Sequence, residues 1–363
     1  MIPSTALTRT LGLSLPIIQA PMAGGATTPA LVAAVSNAGG LGSLAAAMLS
    51  PEQIVDTVAE IRELTDRPFA INLFVLDTPR PDPAEIETAW ARLAPLHAEL
   101  GIEPSLPTRW CQPFDEQLHA LLECRPAVAS FTFGILDPLT VERLHAAESL
   151  VIGTATRVEE AIAWERAGAY AVCAQGAQAG GHRGTFIGPY EEALHDTGAL
   201  VEACVEAIDL PVIAAGGVMD GTEIAALLAR GAQAAQLGTA FLACDESGIP
   251  TAYKEALETA SGETRLTRSF SGRAARGLPN HAMRLLGEFE GEAPDYPLQN
   301  ALTAALRAEG ARRNDAEYLS LWAGQGVTRL RRMGAMELLA RLAAELDAAA
   351  VIETLDETPR AER

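Results

Sequence analysis

Short apolar segments recur along the chain, separated by stretches whose apolar positions fall three and four apart. Eight such segments stand out, at residues 15–20, 40–44, 69–73, 128–131, 150–153, 169–174, 211–214 and 234–237. Their continuous, rather than alternating, hydrophobicity predicts strands covered on both faces, and the helical patterns between them predict parallel pairing. Eight strand–helix units predict a closed (β/α)8 TIM barrel, and 363 residues fall within its usual range of about 200 to more than 400.

The helix starts repeat one local chemistry. Thr28 precedes Pro29 at a helix that ends near Gly39, Ser50-Pro51-Glu52-Gln53 and Thr156-Arg157-Val158-Glu159 read as capping boxes, and Asp220-Gly221-Thr222-Glu223 is a near relative. After the second strand, Ile54, Val55, Val58, Ile61 and Leu64 share one helical face and predict a core-facing stripe.

The alternation breaks twice. Residues 76–127 carry a Pro-rich stretch and two helical patterns, an enlarged excursion on the side of the barrel where chemistry is expected. Residues 243–326 carry helical patterns and the loop Ser269-Phe270-Ser271-Gly272-Arg273-Ala274-Ala275-Arg276-Gly277 without barrel periodicity. They are expected to form a smaller, mostly helical domain inserted after strand eight over the barrel mouth, residues 1–242 being the barrel itself. Residues 327–363 are expected to add a helix from about 335 to 352 and a charged, fraying tail. The stripe Met336, Leu339, Leu342 and Leu346 on that helix packs on the barrel or marks a partner surface.

Composition narrows the function. With 27 basic against 47 acidic residues the net charge is −20, which repels phosphate backbones and anionic membrane surfaces and argues against nucleic-acid or membrane partners. The five cysteines, Cys111, Cys124, Cys173, Cys204 and Cys244, are scattered and form no C-x-x-C pair, which argues against a disulfide framework and against a metal site. No signal-peptide pattern and no apolar run of about 18 residues is present, so a cytoplasmic protein is expected.

Candidate chemistry concentrates at strand ends. Gln175 through Gly184 form a glycine-rich loop directly after the sixth strand, with His182 near its end. Glycines let backbone approach a ligand closely, although a lone histidine in such a loop also serves as an ordinary turn residue. Strands seven and eight end in Gly216-Gly217 and in Gln236-Leu237-Gly238-Thr239, a pairing that in such barrels presents backbone N–H groups to phosphate. Asn72, at the mouth end of strand three, needs a partner, either a ligand ring edge or a neighbouring loop carbonyl.

Gln19-Ala20-Pro21-Met22, Gly39-Gly40-Leu41-Gly42, Asn72, the A-G-G-H-x-G loop at residues 179–184, Gly216-Gly217 and Gln236-Leu237-Gly238-Thr239 occur in the order found in the nitronate monooxygenases, and over nearly its whole length the chain resembles that family. The likeness extends to residues 271–277, 296–299 and 321–325. It implies a non-covalent FMN at the C-terminal mouth, with its phosphate on Gly217, Gly238 and Thr239 and its ring near Ala20, Pro21, Met22, Asn72, Gln175 and Gly180. Gly181, Gly216, Gln236 and Leu237 complete the implied cofactor site, and His182 is the implied catalytic residue on the substrate side. The implied reaction oxidises alkyl nitronates such as propionate 3-nitronate with O2 to carbonyl compounds and nitrite, in a monomer or homodimer.

His182 would hold the nitronate anion or remove the α-proton of a neutral nitroalkane, since an unperturbed pKa of about 6.5 permits both. Many family members carry histidine in a Ser-Phe-His-Phe-Gly segment after strand four, where this chain reads Ser130-Phe131-Thr132-Phe133-Gly134. Thr132 and Tyr296 are therefore carried over as substrate-pocket residues. The competing expectation is an FMN-dependent NAD(P)H:quinone or enoyl reductase on the same barrel, with Arg273 and Arg276 holding the nicotinamide nucleotide's phosphates. A non-catalytic flavin-binding protein is a third, against which His182 argues. Cys173, inside a strand, reads as a small packing residue.

Overall fold

The computed structural model describes residues 2–356, with side chains to 349. Eight parallel strands form the central sheet: β1 (Ile17–Gln19), β2 (Gly42–Ala45), β3 (Phe69–Phe74), β4 (Val128–Thr132), β5 (Leu150–Ala155), β6 (Ala171–Gln175), β8 (Val212–Ala215) and β9 (Ala234–Leu237). Their order is β1-β9-β8-β6-β5-β4-β3-β2. Ile18 bridges Leu41 just before β2, with Leu41 N–H donating to the Ile17 carbonyl at 3.0 Å, and this contact closes the ring. Each expected strand is found at its expected place, with its ends shifted by no more than two residues.

Alternate residues point into the barrel, and their character changes with height. Ala70, Val128, Ile152, Ala171, Ile213 and Ala234 form an apolar floor, sealed by Leu7 and Leu11 of the helix Ala6–Leu11. Two residues further along their strands stand Asn72, Ser130, Thr154, Cys173, Ala215 and Gln236, which line a cavity. Because the side-chain period of a strand is two, the same strands supply a packed base and a more polar mouth.

Helices cover the outside. The capping box at Ser50 forms, and Thr28 and Asp220 cap their helices. The box expected at Thr156 does not: the helix Val158–Arg166 has no side-chain cap. Buried Glu160 instead accepts from Thr156 N at 2.6 Å and Oγ1 at 2.9 Å, and reaches the backbone N–H groups of Phe186 and Ile187. Long-range donors thus outcompete the local cap. In the helix Pro51–Leu64 the expected stripe is narrower than the pattern suggested. Ile54, Val58 and Ile61 are buried, while Val55 and Leu64 at its margins stay 42% and 51% exposed.

The segment after β9 brings the helices Thr251–Glu258, His281–Gly287, Leu298–Leu302 and Ala304–Arg313, together with strands β10 (Arg265–Thr267) and β11 (Ala275–Gly277). Its apolar residues share cores with earlier parts of the chain. Leu286, Leu298, Leu302 and Leu306 pack with Ile86, Leu93 and Leu96 of the helix Pro83–Leu100, and Ile249, Tyr253 and Leu257 pack with Ala26 and Leu242. The excursion after β3 and the segment after β9 therefore meet over the mouth.

The last helix, Ala335–Asp356, packs against the helices Gly221–Ala229 and Pro29–Asn37. Leu338, Leu339, Leu342 and Leu346 are fully buried there, whereas Met336 is 57% exposed and does not belong to the stripe. The tail expected to fray, 357–363, lies outside the described residues. Because Leu342 fills a site against two barrel helices, Leu342→Ala should cost about 2–5 kcal/mol. A shifted urea midpoint measures it, and an unshifted one would return the stripe to the role of a free surface.

Candidate active site

The loop after β6 is held by its own side chains. Gln175, the last residue of β6, accepts from Gly184 N at 2.8 Å through Oε1 and donates from Nε2 to the His182 carbonyl at 3.0 Å. Arg183 is buried and donates to the carbonyls of Gly176, Gln175 and Ala193 at 2.6, 2.9 and 3.0 Å. Between them β7 (Gly181–His182) pairs antiparallel with β11, Ala275 opposite His182. Gly180 lies against the chain at 323–324, where an added Cβ would stand 2.5 Å from Gly324 N. Only glycine permits that approach.

His182 Nε2 lies 2.9 Å from Ser271 Oγ. The serine hydroxyl donates to the Arg273 carbonyl at 3.1 Å, which leaves its lone pairs to accept from the ring. This network assigns the proton of neutral His182 to Nε2 and leaves Nδ1 as the free nitrogen. Burial, then the positive charges of Arg273 and Arg307, push the His182 pKa down to about 3. The expectation of a near-neutral pKa is thereby corrected: the ring is uncharged throughout the physiological range.

Aromatic rings surround it. Phe133, Tyr296 and Trp322 have centroids 5.6, 5.6 and 5.3 Å from the imidazole, and Phe74 stacks on Phe133 at 4.2 Å. Phe133 adopts φ +79°, a left-handed conformation costing a bulky residue about 1–3 kcal/mol. The guanidinium of Arg273, 4.0 Å above the Phe133 ring, holds it there. Burial raises the Tyr296 phenol to about 12, so it remains a neutral donor.

Every residue that the resemblance implies as catalytic, cofactor-binding or substrate-pocket lines one cavity of about 310 Å³ at the C-terminal ends of the strands. Ala20, Pro21 and Met22 follow β1; Asn72 stands on β3, Thr132 on β4 and Gln175 on β6; Gly180, Gly181 and His182 follow them; Gly216 and Gly217 follow β8; Gln236, Leu237, Gly238 and Thr239 end β9; and Tyr296 comes from above. Asn72 Nδ2 is satisfied by Ser130, at 3.0 Å to Oγ and 3.2 Å to the carbonyl, so a strand neighbour and not a loop carbonyl is its protein partner. Thr132 Oγ1 bonds Thr154 Oγ1 at 2.6 Å. Among the described residues, the N–H groups of Gly217 and Gly238 donate to no backbone carbonyl.

Arg273 and Arg276 do not face the cavity as phosphate clamps. Arg273 is committed to the carbonyls of Arg183 and Thr185, and Arg276 to the Ala177 carbonyl and Thr264 Oγ1. Sequence reasoning missed Phe74, Phe133, Trp322 and Arg307, all of which line the cavity. Phe133 lay inside the quoted strand-four segment and Trp322 inside 321–325, but nothing local marked Arg307.

A parallel eight-stranded barrel with a partly apolar, small-molecule-sized cavity at the C-terminal ends of its strands, unpaired N–H groups at two strand ends and an enclosed histidine is the architecture of a barrel enzyme. The nitronate monooxygenase family model matches residues 5–345. A probable nitronate monooxygenase of Staphylococcus saprophyticus is 42% identical over 340 residues, 93% of this chain and 96% of the relative; one from Staphylococcus aureus is 40% identical over 322 residues, 88% and 90% of the two chains. Among solved structures, the nitroalkane oxidase from Streptomyces ansochromogenes is 43% identical with a TM-score of 0.89, covering 96% of this chain and 100% of that one. FabK from Thermotoga maritima is 29% identical with a TM-score of 0.75, covering 97% and 98%. The chain belongs to the nitronate monooxygenase family and is an oxidoreductase.

The depressed pKa of His182 has a measurable sign. An unfolded histidine takes its proton near pH 6.5 and His182 only near 3, so between these values the unfolded state binds more protons. The stability carried by the neutral ring is present above pH 6.5 and drains as pH falls toward 3. Nitrogen NMR of labelled imidazoles should find His182 neutral and protonated at Nε2 from pH 8 down to 5, and a titration midpoint near 6.5 would refute the assignment.

Proposed function

We propose that the protein oxidises alkyl nitronates, propionate 3-nitronate among them, with O2 to carbonyl compounds and nitrite, using a non-covalently bound FMN. The observation that carries this reading is the enclosure of an uncharged histidine in a cavity whose nearby formal charges, Arg273 and Arg307, are positive. That field suits an anion.

The residues present fit the flavin. Gly217 and Gly238 offer unengaged N–H groups to its phosphate. A Cβ on Gly238 would lie 3.5 Å from Ala20 Cβ and 3.9 Å from Met22 Sδ, in ordinary contact with the protein and beside the N–H offered to the phosphate. Asn72, Gln175 and the backbone at 20–22 supply edges and walls for the ring. The flavin, when bound, supplies electron transfer between nitronate and O2.

The chain's own part is to hold the substrate. A group that keeps its proton off until about pH 3 is a weak base, so His182 is poorly suited to deprotonate a neutral nitroalkane. A nitronate arrives already deprotonated. Its negative charge opposes the field of the arginines and raises the proton affinity of His182 at Nδ1, the nitrogen that Ser271 leaves free. A proton held there bridges to a nitronate oxygen, and the Tyr296 hydroxyl offers a second donor. Phe74, Phe133 and Trp322 exclude water around this contact. The five cysteines, all unpaired, suit a cytoplasmic setting.

Two experiments test the reading. Gly217→Val is a poor probe of the phosphate site, because Gly217 has φ +76° and its Cβ would press on Gln178 at 2.9 Å. At Gly238 the backbone accepts any residue (φ −106°), so Gly238→Val should keep the fold and lose most of the FMN found in the yellow wild-type protein. Full flavin content in that variant removes the site from this place. In the second experiment, anaerobic mixing with propionate 3-nitronate should bleach the flavin without any nicotinamide, and the reaction in air should release nitrite. His182→Asn should retain flavin and lose about 100-fold in kcat/KM. Rapid bleaching by NADH with no nitrite from nitronates would instead establish a reductase.

A further inference from the structure

After Trp322 the chain forms a strap, residues 324–329, against the ends of β8 and β9, finishing in the 3-10 turn Val327–Arg329. Gly324 N–H donates to Thr239 Oγ1 at 2.9 Å, just past β9. Past β8 the approach is closer. A Cβ on Gly326 would stand 2.6 Å from the Gly217 carbonyl oxygen and 2.4 Å from Met219 Cγ, so only glycine lets the strap lie against that carbonyl. Arg329 reaches back and donates from Nη2 to the same oxygen at 3.2 Å. Its Nη1 pairs with Asp220 Oδ2 at 3.3 Å and Glu223 Oε1 at 2.6 Å, at the start of the helix Gly221–Ala229.

Holding that carbonyl fixes a donor on the other side of its peptide. The Gly217–Val218 bond is trans, and in a trans peptide the C=O and N–H point in opposite directions. With the Gly217 oxygen turned to the strap, the Val218 N–H is turned away from it. Val218 is buried and lines the cavity, and its N–H meets no acceptor among the described residues. A buried N–H in that state is arranged for an acceptor from outside the protein. Resting on the flavin reading above, we propose that Arg329 is a positioning residue for the cofactor's phosphate, which turns the Val218 N–H into the cavity as a further donor beside those of Gly217 and Gly238. The charge of Arg329 is already matched by Asp220 and Glu223, so its effect is one of orientation carried through a single peptide. A peptide whose oxygen is bonded to a cation is also the stronger donor at its N–H. Neither effect reaches the flavin ring.

The test reads binding rather than turnover. The full chain, stripped of flavin, is titrated with FMN and with riboflavin, which lacks the phosphate, and quenching of flavin fluorescence gives the two dissociation constants. Wild type should bind FMN far more tightly than riboflavin. Arg329→Met should weaken FMN about tenfold and leave riboflavin within about twofold. The Arg329 side chain is 44% exposed, so the variant keeps its core, and riboflavin reports the intact pocket. Arg329→Lys keeps a cation beside Asp220 and Glu223 but lacks the second nitrogen that reaches Gly217, and should show most of the same loss. In wild type the Val218 amide proton should shift downfield by NMR with FMN and not with riboflavin. Equal losses for both flavins, unchanged FMN binding, full recovery by lysine, or a Val218 amide indifferent to FMN would each overturn the proposal. A wild type that binds FMN no more tightly than riboflavin would remove the phosphate site itself, and the flavin reading with it. A wild-type preference for FMN that Arg329→Met retains would sink the role of Arg329 alone.

Discussion

One buried cation fixes the shape of the mouth. Arg183 is 1% exposed, makes all its hydrogen bonds to backbone carbonyls, and keeps its charge with a pKa lowered to about 10 by burial. A charge taken out of water costs several kcal/mol unless most of its donors are met, so the carbonyls of Gln175, Gly176 and Ala193 converge on its two terminal nitrogens and only its Nε is left without an acceptor. That convergence bends the loop after β6 into the form that presents His182. Glu160 braces the following residues from below by accepting from Phe186 and Ile187, and β11 pairs with the loop from above.

The electrostatic character of the site follows from the same enclosure. Three arginines, at 183, 273 and 307, are lowered to about 10 by burial, and His182 is driven neutral among them. In low-dielectric surroundings such fixed charges act strongly on whatever enters. A protein with a net charge of −20 thus keeps a positive interior at its cavity, a separation that total charge does not reveal.

Strain and close approach are concentrated in the same place. Phe133 accepts a left-handed backbone to set its ring between Phe74, Tyr296 and His182, and the cation of Arg273 lies over its face. Gly180 and Gly324 bring two chain segments into backbone contact at the edge of the cavity. Segments distant in sequence, the excursion after β3 and the helices after β9, then pack with each other to roof it.

The sequence by itself determined the barrel and the location of the site. Strand hydrophobicity and helix caps are local signals, and barrel geometry turns strand ends into one mouth; Ala20, Asn72, Gln175, Gly217 and Gly238 could therefore be placed together before any contact was known. Its local readings failed where long-range partners were stronger. Thr156 lost its capping role to Glu160, Val55 and Leu64 stayed at the surface, and Asn72 found Ser130. Only the tertiary structure decided the protonation of His182, the commitment of Arg273 and Arg276 to carbonyls, and the unmet Nε of Arg307. A pKa and an unmet donor depend on burial and on charges contributed by segments far apart in the chain, and no local pattern carries that information.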